Sequence, residues 1–264
     1  YYPTRTEVAI FAAHADAMAR RAGGQVALIE YGSGAATKVR FLLDRLERPA
    51  AYVPVDVSRE QLAAVARERQ RDYPALRVLP VCADFTQPFD LPALPRASRR
   101  VAFFPGSTIG NFHPTEAAAF LRRVRHTVGA EGGMLLGVDR RKDPRLLHAA
   151  YNDRAGVTAA FNLNLLRHLN QRLGSDFDPR AWRHRAWFNP DHSRIEMHLE
   201  ARQACTVRWP GAGRHFAAGE CIHTENAYKW TREGFADLLR QAGFGPARCW
   251  TDPQQWFGVF LASA

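Results

Sequence analysis

The chain is poor in the residues that build metal sites or disulfide frameworks. Its four cysteines, Cys82, Cys205, Cys221 and Cys249, are scattered with no paired spacing, so free thiols in a reducing cytoplasm are expected rather than bridges. The stretch "CIHTE" (Cys221–Glu225), taken with His215, matches no zinc spacing, and no metal is expected. No apolar run approaches the roughly 20 residues of a membrane span, so no membrane partner is expected. The chain opens at Tyr1 with neither Met nor a signal-peptide pattern, and its natural beginning is expected to be missing. Acidic residues are outnumbered, giving a net charge of +10, but the excess is almost all Arg and is dispersed. The densest clusters, "RASRR" (Arg96–Arg100) and "DRRKDPR" (Asp139–Arg145), are short and lack interleaved aromatics, so no nucleic-acid partner is expected. What remains is an ordinary globular composition over 264 residues, enough for one or two domains with a sizeable core.

The first 140 residues alternate between two periodicities. "QVALIEY" (Gln25–Tyr31) is short and apolar, as a buried parallel strand should be. Val39, Leu42, Leu43 and Leu46 recur at helical spacing, predicting a helix over 36–46. "AAYVPVDVS" (Ala50–Ser58) predicts a second strand, and Ser58 can cap the helix that follows. "LRVLPVCADF" (Leu76–Phe85) predicts a third. "RVAFFPGSTIGNF" (Arg100–Phe112) carries a fourth, followed by a helix from about Thr115 to Thr127, and "GGMLLGVDR" (Gly132–Arg140) is the fifth. Such alternation predicts a parallel, doubly wound α/β sheet. The rhythm then changes. A helical stretch runs from Pro144 to Leu173, broken near "DRAGVT". Two β-rich stretches follow, then a helix at Thr231–Gln241 and strands near "ARCWTD" and "WFGVFLA". A second unit over 141–229 is therefore expected as an insertion, with 6–140 and 230–264 forming the sheet domain.

Candidate ligand residues sit where these strands end. "EYGSGAATK" offers Gly32 and Gly34, but Thr37 stands where the dinucleotide fingerprint wants Gly or Ala. That disfavours NAD, and "GSGAATK" is not a Walker sequence. Asp56 ends the second strand, placed for a ribose; Asp84 and Phe85 end the third, placed for an adenine. Each Asp could equally be a helix cap or turn residue. Gly106, Gly110 and Asn111 end the fourth strand, where Asn111 adds an acceptor and two donors, or serves only a turn. An adenosyl ligand without a pyrophosphate fits best, pointing to S-adenosylmethionine.

The stretches "YYPTRTE", "GSTIGNF", "AYNDRAGVTAAFNLNLL", "RIEMHL" and "IHTENAYKW" resemble the ergothioneine-pathway L-histidine Nα-methyltransferases, which form the betaine hercynine. The resemblance covers nearly the whole chain. It implies a Rossmann-like S-adenosylmethionine-dependent methyltransferase sheet with an inserted α+β substrate domain, to which residues 1–5 contribute. It further implies that Gly32, Lys38, Asp56, Asp84, Phe85 and Gly106 contact the donor, Lys38 near its carboxylate. Asn111 and Tyr151 would grip the substrate's α-carboxylate, Met197 would wall the pocket, and Glu225 would accept the imidazole N–H. Tyr1 matches a tyrosine at the substrate pocket; Tyr1 and Asn111 are the candidate catalytic residues. A cytoplasmic monomer acting on a small amino acid, without metal, is expected.

One departure bears on the substrate. Ala227 stands where the family usually has Ser, bonded to the second imidazole nitrogen. Losing a neutral hydrogen bond costs about 1 kcal/mol, so another aromatic amino acid is the alternative substrate. A non-catalytic sensor of the adenosyl ligand is the alternative of a different class. His198, alternating with apolar neighbours in "EMHLE", is expected at a strand surface.

Overall fold

A computed structural model of the chain describes residues 2–34, 37–95 and 98–264. Contacts divide it into two units: Pro3–Arg140 with Trp230–Ala264, and Tyr2 with Arg141–Lys229. Residues 3–5 group with the sheet, not with the insertion.

In the first unit, helix α1 (Tyr2–Ala22) precedes β1 (Val26–Tyr31), α2 (Arg40–Leu43), β2 (Ala51–Asp56), α3 (Arg59–Asp72) and β3 (Val81–Cys82). Then come β4 (Arg99–Phe104), α4 (Pro114–Val128) and β5 (Gly133–Asp139). The second unit holds α5 (Pro144–Tyr151), α6 (Val157–Leu173), β6 (Trp182–Asn189), β7 (Arg194–Ala201), β8 (Cys205–Trp209), β9 (Ala212–Phe216) and β10 (Cys221–Tyr228). The chain returns to the first unit with α7 (Arg232–Gln241), β11 (Ala247–Thr251) and β12 (Phe257–Ser263).

The first unit is a seven-stranded sheet in the order β11-β12-β5-β4-β1-β2-β3. The parallel α/β reading is borne out for β1 to β5, while β12 runs antiparallel to both neighbours. Every residue of β1 and β5 is buried, as expected of strands covered on both faces. One face carries Phe11, Met18, Leu28, Val101 and Leu135; the other carries Ile29, Phe104, Phe120, Leu136 and Phe235. Truncating such a fully buried Phe to Ala typically costs 3–5 kcal/mol (about). Ser58 caps α3 as expected, accepting from the Gln61 N–H.

Two elements are shorter than the sequence predicts. The third strand shrinks to Val81–Cys82 because Pro80 has no N–H for the ladder. Before it, Tyr52 N–H still reaches Arg77 O and Leu79 N–H reaches Tyr52 O, so the edge is paired in two pieces. Among the described residues of the helix predicted over 36–46, only Arg40–Leu43 is regular. Phe41, Leu42 and Arg45 bond to the carbonyl three residues back, tightening both ends.

The second unit pairs β10-β7-β6 antiparallel, with β8-β9 as a separate hairpin. "YNDRAGVT" turns out to be structural punctuation. The Asn152 amide pairs with both backbone groups of Ala186 on β6. Asp153 accepts from the N–H groups of Val157 and Thr158, and Gly156 takes φ +70°. His198 corrects the surface expectation. It is buried, stacked 3.9 Å from the Trp187 ring and 4.6 Å from His223, and burial lowers its pKa. All four cysteines are free. Among the described residues no helix is long and apolar enough to cross a membrane.

Candidate active site

The strand order reverses at β1, between β4 and β2, which is where open α/β sheets bind ligands beyond their carboxyl ends. The turn after β1 is held to β2 by backbone: the N–H groups of Gly32 and Ser33 both bond to Val55 O. Gly32 has φ +70°, and a Cβ there would meet the Phe85 ring at 3.6 Å. A side chain at Gly32 is thus strained before any ligand arrives. Asp56 completes the turn, its Oδ2 accepting from Gly34 N–H at 3.2 Å and its Oδ1 from Ser58 N–H at 2.9 Å. Beside it Val57 is 65% exposed, an apolar platform at the strand end.

Asp84 is exposed and engaged in its own turn: Oδ1 accepts from the N–H and hydroxyl of Thr86, which hold its carboxyl below the usual range. Those turn bonds use only one of its two carboxylate oxygens. Phe85 packs edge-on against Tyr31 and Phe104. After β4, Gly106 has φ +83° and Ser107 φ +59°, a left-handed pair. Non-glycine residues there are uncommon and concentrate at functional turns. Ser107 is kept in place by the Asp139 N–H, which donates to its Oγ at 2.8 Å. The turn ends in Asn111, which is exposed.

Two buried carboxylates in this unit escaped sequence reasoning. Glu30, on β1, is buried and accepts a short hydrogen bond from the Tyr52 hydroxyl; desolvation pushes its pKa up to about 8. Glu7, on α1, is completely buried, pairs with Lys38 and accepts from the Gly106 N–H. Lys38 therefore stands beside Gly106 with a carboxylate partner from the N-terminal helix. A cue was available, because Glu7 interrupts the α1 stripe Pro3, Ile10, Phe11, Met18.

The second unit gathers a different set. Tyr151, Met197 and Ala227 share one apolar cluster with Leu147, Ala186 and Ile195. Met197 faces Glu225 across the β7–β10 ladder, just after a register irregularity between His223 and Glu225. Glu225 and Ala227 are two apart on β10, hence on one face. Burial raises the Glu225 pKa, opposed by the Lys229 ammonium. Lys229, which sequence reasoning also missed, is buried. Its Nζ donates to Tyr151 Oη at 2.9 Å and lies 4.8 Å from that ring's centroid. Tyr1 lies outside the described residues.

The comparisons with known proteins fit this picture. A family model described as histidine-specific methyltransferase, SAM-dependent, matches residues 1–264. The chain belongs to that family. It is 40% identical over 267 residues to the histidine N-alpha-methyltransferase of Mycolicibacterium smegmatis, covering 99% of this chain and 82% of that protein. It is 28% identical to ergothioneine biosynthesis protein 1 of Neurospora crassa, covering 95% of this chain but 29% of that longer protein. Among solved structures, the CcbJ methyltransferase of Streptomyces caelestis shares the fold, with a TM-score of 0.57 at 13% identity over 97% of this chain and 95% of that one. Membership in the family makes S-adenosylmethionine the methyl donor. The chemistry at the sheet edge fits such a ligand: glycine turns that admit close approach, a carboxylate at Asp56, an exposed apolar Val57 and an ammonium at Lys38.

Proposed function

We propose that the protein methylates the α-amine of L-histidine, three times in succession, giving hercynine on the route to ergothioneine. The observation that carries the substrate reading lies within the second unit. Glu225, desolvated but charge-balanced by Lys229, stands with Met197 and Ala227 on strands that frame the cluster around Tyr151. A half-buried carboxylate suits an imidazole N–H, and a phenol polarised by an ammonium suits an α-carboxylate.

The roles follow from donor and acceptor capacity. Lys229 donates to Tyr151 Oη, and a phenol hydroxyl can itself donate to a substrate carboxylate. Glu225 accepts from the imidazole; a pocket built to pair that N–H rejects analogues lacking it. Asn111 is the proposed polar contact at the sheet's edge, and Tyr1 a second contact for the amino acid. On the donor side, Asp56 takes the ribose hydroxyls, Asp84 and Phe85 the adenine edge, Val57 an adenine face, and Gly32, Lys38 and Gly106 the aminoacyl end. S-adenosylmethionine supplies an electrophilic methyl group on sulfonium. The attacking amine must be uncharged, and a free α-amino group near pKa 8 (about) provides that form at neutral pH. The protein's contribution is orientation of the amine by its two ends, which needs no covalent intermediate.

The test is a substrate screen by calorimetry in S-adenosylhomocysteine, with product read by intact mass. Histidine binding and a trimethylated product support the proposal. Preference for tryptophan or tyrosine would move the reading to the alternative substrate, and donor binding without any product would make the protein a sensor.

A further inference from the structure

The donor residues named above leave one buried charge unexplained. Glu7 lies on the inner stripe of α1 and is 0% exposed, among Ile10, Phe11 and Met18. A carboxylate in such surroundings is costly unless it is paired and hydrogen-bonded. Its partners come from separate segments of the sheet's ligand edge. Gly106 N–H, just past β4, donates to Oε1 at 2.9 Å and Oε2 at 3.0 Å. Lys38, from the turn after β1, pairs with Oε2. Gly137 on β5 leaves the space the carboxylate fills, since a Cβ there would stand 1.9 Å from Oε1. At Gly106 the absence of a side chain leaves room for Lys38 Nζ, which lies 3.5 Å from where a Gly106 Cβ would stand.

We infer that Glu7 is a positioning residue for the donor's aminoacyl end: it fixes the Lys38 ammonium and the Gly106 turn in one arrangement before the donor binds. The inference rests on the donor-site reading above. A lysine side chain loses substantial rotamer freedom when it is immobilised. Glu7 imposes that loss at folding, so it is not charged against donor binding. The same carboxylate accepts from the Gly106 N–H and so holds that backbone in its left-handed turn. Glu7 touches neither reacting group in this account and acts through Lys38 and Gly106. Burial raises its pKa, while Lys38 and the Gly106 N–H, the polar groups that face it, favour the charged form.

The experiment measures S-adenosylhomocysteine affinity by calorimetry, beside thermal melting of each variant. Glu7→Gln keeps an acceptor for Gly106 but loses the charge for Lys38. It is expected to bind S-adenosylhomocysteine about tenfold more weakly, the scale of one charge-assisted contact. Donor KM should rise by a similar factor while kcat stays within about threefold. Lys38→Met should weaken binding comparably, and the double variant should be no weaker than Lys38→Met alone, as expected of residues acting as one unit. Gly137→Ala, which crowds the carboxylate without changing its charge, provides a second route if Glu7→Gln does not fold, and should also weaken binding. Wild-type or tighter affinity in the folded Glu7 variant or in Gly137→Ala overturns the inference, as does additivity in the double variant. Asp56→Ala separates the two failures. If it and Lys38→Met both keep full affinity, the donor-site reading is wrong; if they lose affinity while Glu7→Gln does not, only the role of Glu7 falls.

Discussion

The two units solve the problem of holding polar groups in different ways. In the sheet unit the ligand edge is built chiefly from backbone. Gly32 and Gly106 hold positive φ, the Gly32 and Ser33 N–H groups bond to Val55, and Asp56 is fixed by the N–H groups of Gly34 and Ser58. In the inserted unit the candidate residues lie on strands and at a helix end, and side chains hold side chains. Lys229 holds Tyr151, Arg194 holds Glu196, and Arg183 and Arg185 hold Glu200. A ligand shared by many enzymes can be read by turns of fixed geometry. A particular amino acid is read by side chains, which can be changed one at a time. Of the chain's three lysines, Lys38 serves the first arrangement, while Lys142, bonded to the Tyr2 hydroxyl, and Lys229 serve the second.

The largest expected effect tests a buried side chain that departs from this division. Glu30 belongs to the sheet unit yet is held by another side chain, Tyr52. Its carboxyl titrates at 4.5 in the unfolded chain and about 8 in the fold. The folded protein therefore keeps a proton that the unfolded chain has released between those values. Stability contributed by this group is fully present below pH 4.5 and is lost as pH rises toward 8. The slope is about 1.4 kcal/mol per pH unit, on the order of 5 kcal/mol across the window. Glu30→Gln keeps the hydrogen-bonding capacity and should flatten the dependence. Denaturation midpoints between pH 5 and 8 (roughly) check this; parallel pH profiles for the two proteins would refute it.

Next in size, Glu225→Ala should weaken histidine binding by about 50-fold, the loss of a charged hydrogen bond in a desolvated pocket. Affinity for S-adenosylhomocysteine should stay within about twofold, since separate sites add independently. Calorimetry on both ligands decides it. A drop in both affinities would break the division of labour between the units. Asp56→Ala is the mirror experiment. It should cost about tenfold in S-adenosylhomocysteine affinity, because it removes the acceptor proposed for the ribose and the partner of the Gly34 N–H. Histidine binding, measured directly, should change less.

How much of this was legible depended on which arrangement carried it. Backbone-built features announce themselves through glycine, Ser58 and short apolar runs, so β1, β2, β4, β5 and the turns between them were readable. Side-chain pairing across the chain does not. Strand β6 went unread because "WRHRAWFN" carries Arg183 and Arg185 on one face, and only their partner Glu200 makes a strand of such charge economical. Helix α1 went unread because Glu7 breaks its apolar stripe, a break that makes sense only with Lys38 and Gly106 in place. Nothing local in the sequence marks Lys229; its burial comes with the cluster around Tyr151, 78 residues away in the chain.

The smallest expected effect bears on the point where this chain departs from its family's pattern. Ala227 is buried at 4% exposure, packed with Ile195 and Met197 in the cluster that frames Glu225. Ala227→Ser adds one hydroxyl to a site sized for a methyl group, on the same face as Glu225. Where histidine is the substrate, that hydroxyl gains the second imidazole nitrogen as a partner in the complex, so affinity should improve by about fivefold, the worth of one neutral hydrogen bond. Without substrate the same hydroxyl is buried among apolar side chains, so the free protein should melt at a lower temperature. The two effects have opposite signs, which distinguishes a substrate contact from a change in packing. Tighter histidine binding together with a lower melting temperature places the imidazole beside residue 227. A lower melting temperature alone places it elsewhere and favours an amino acid whose ring offers no second nitrogen.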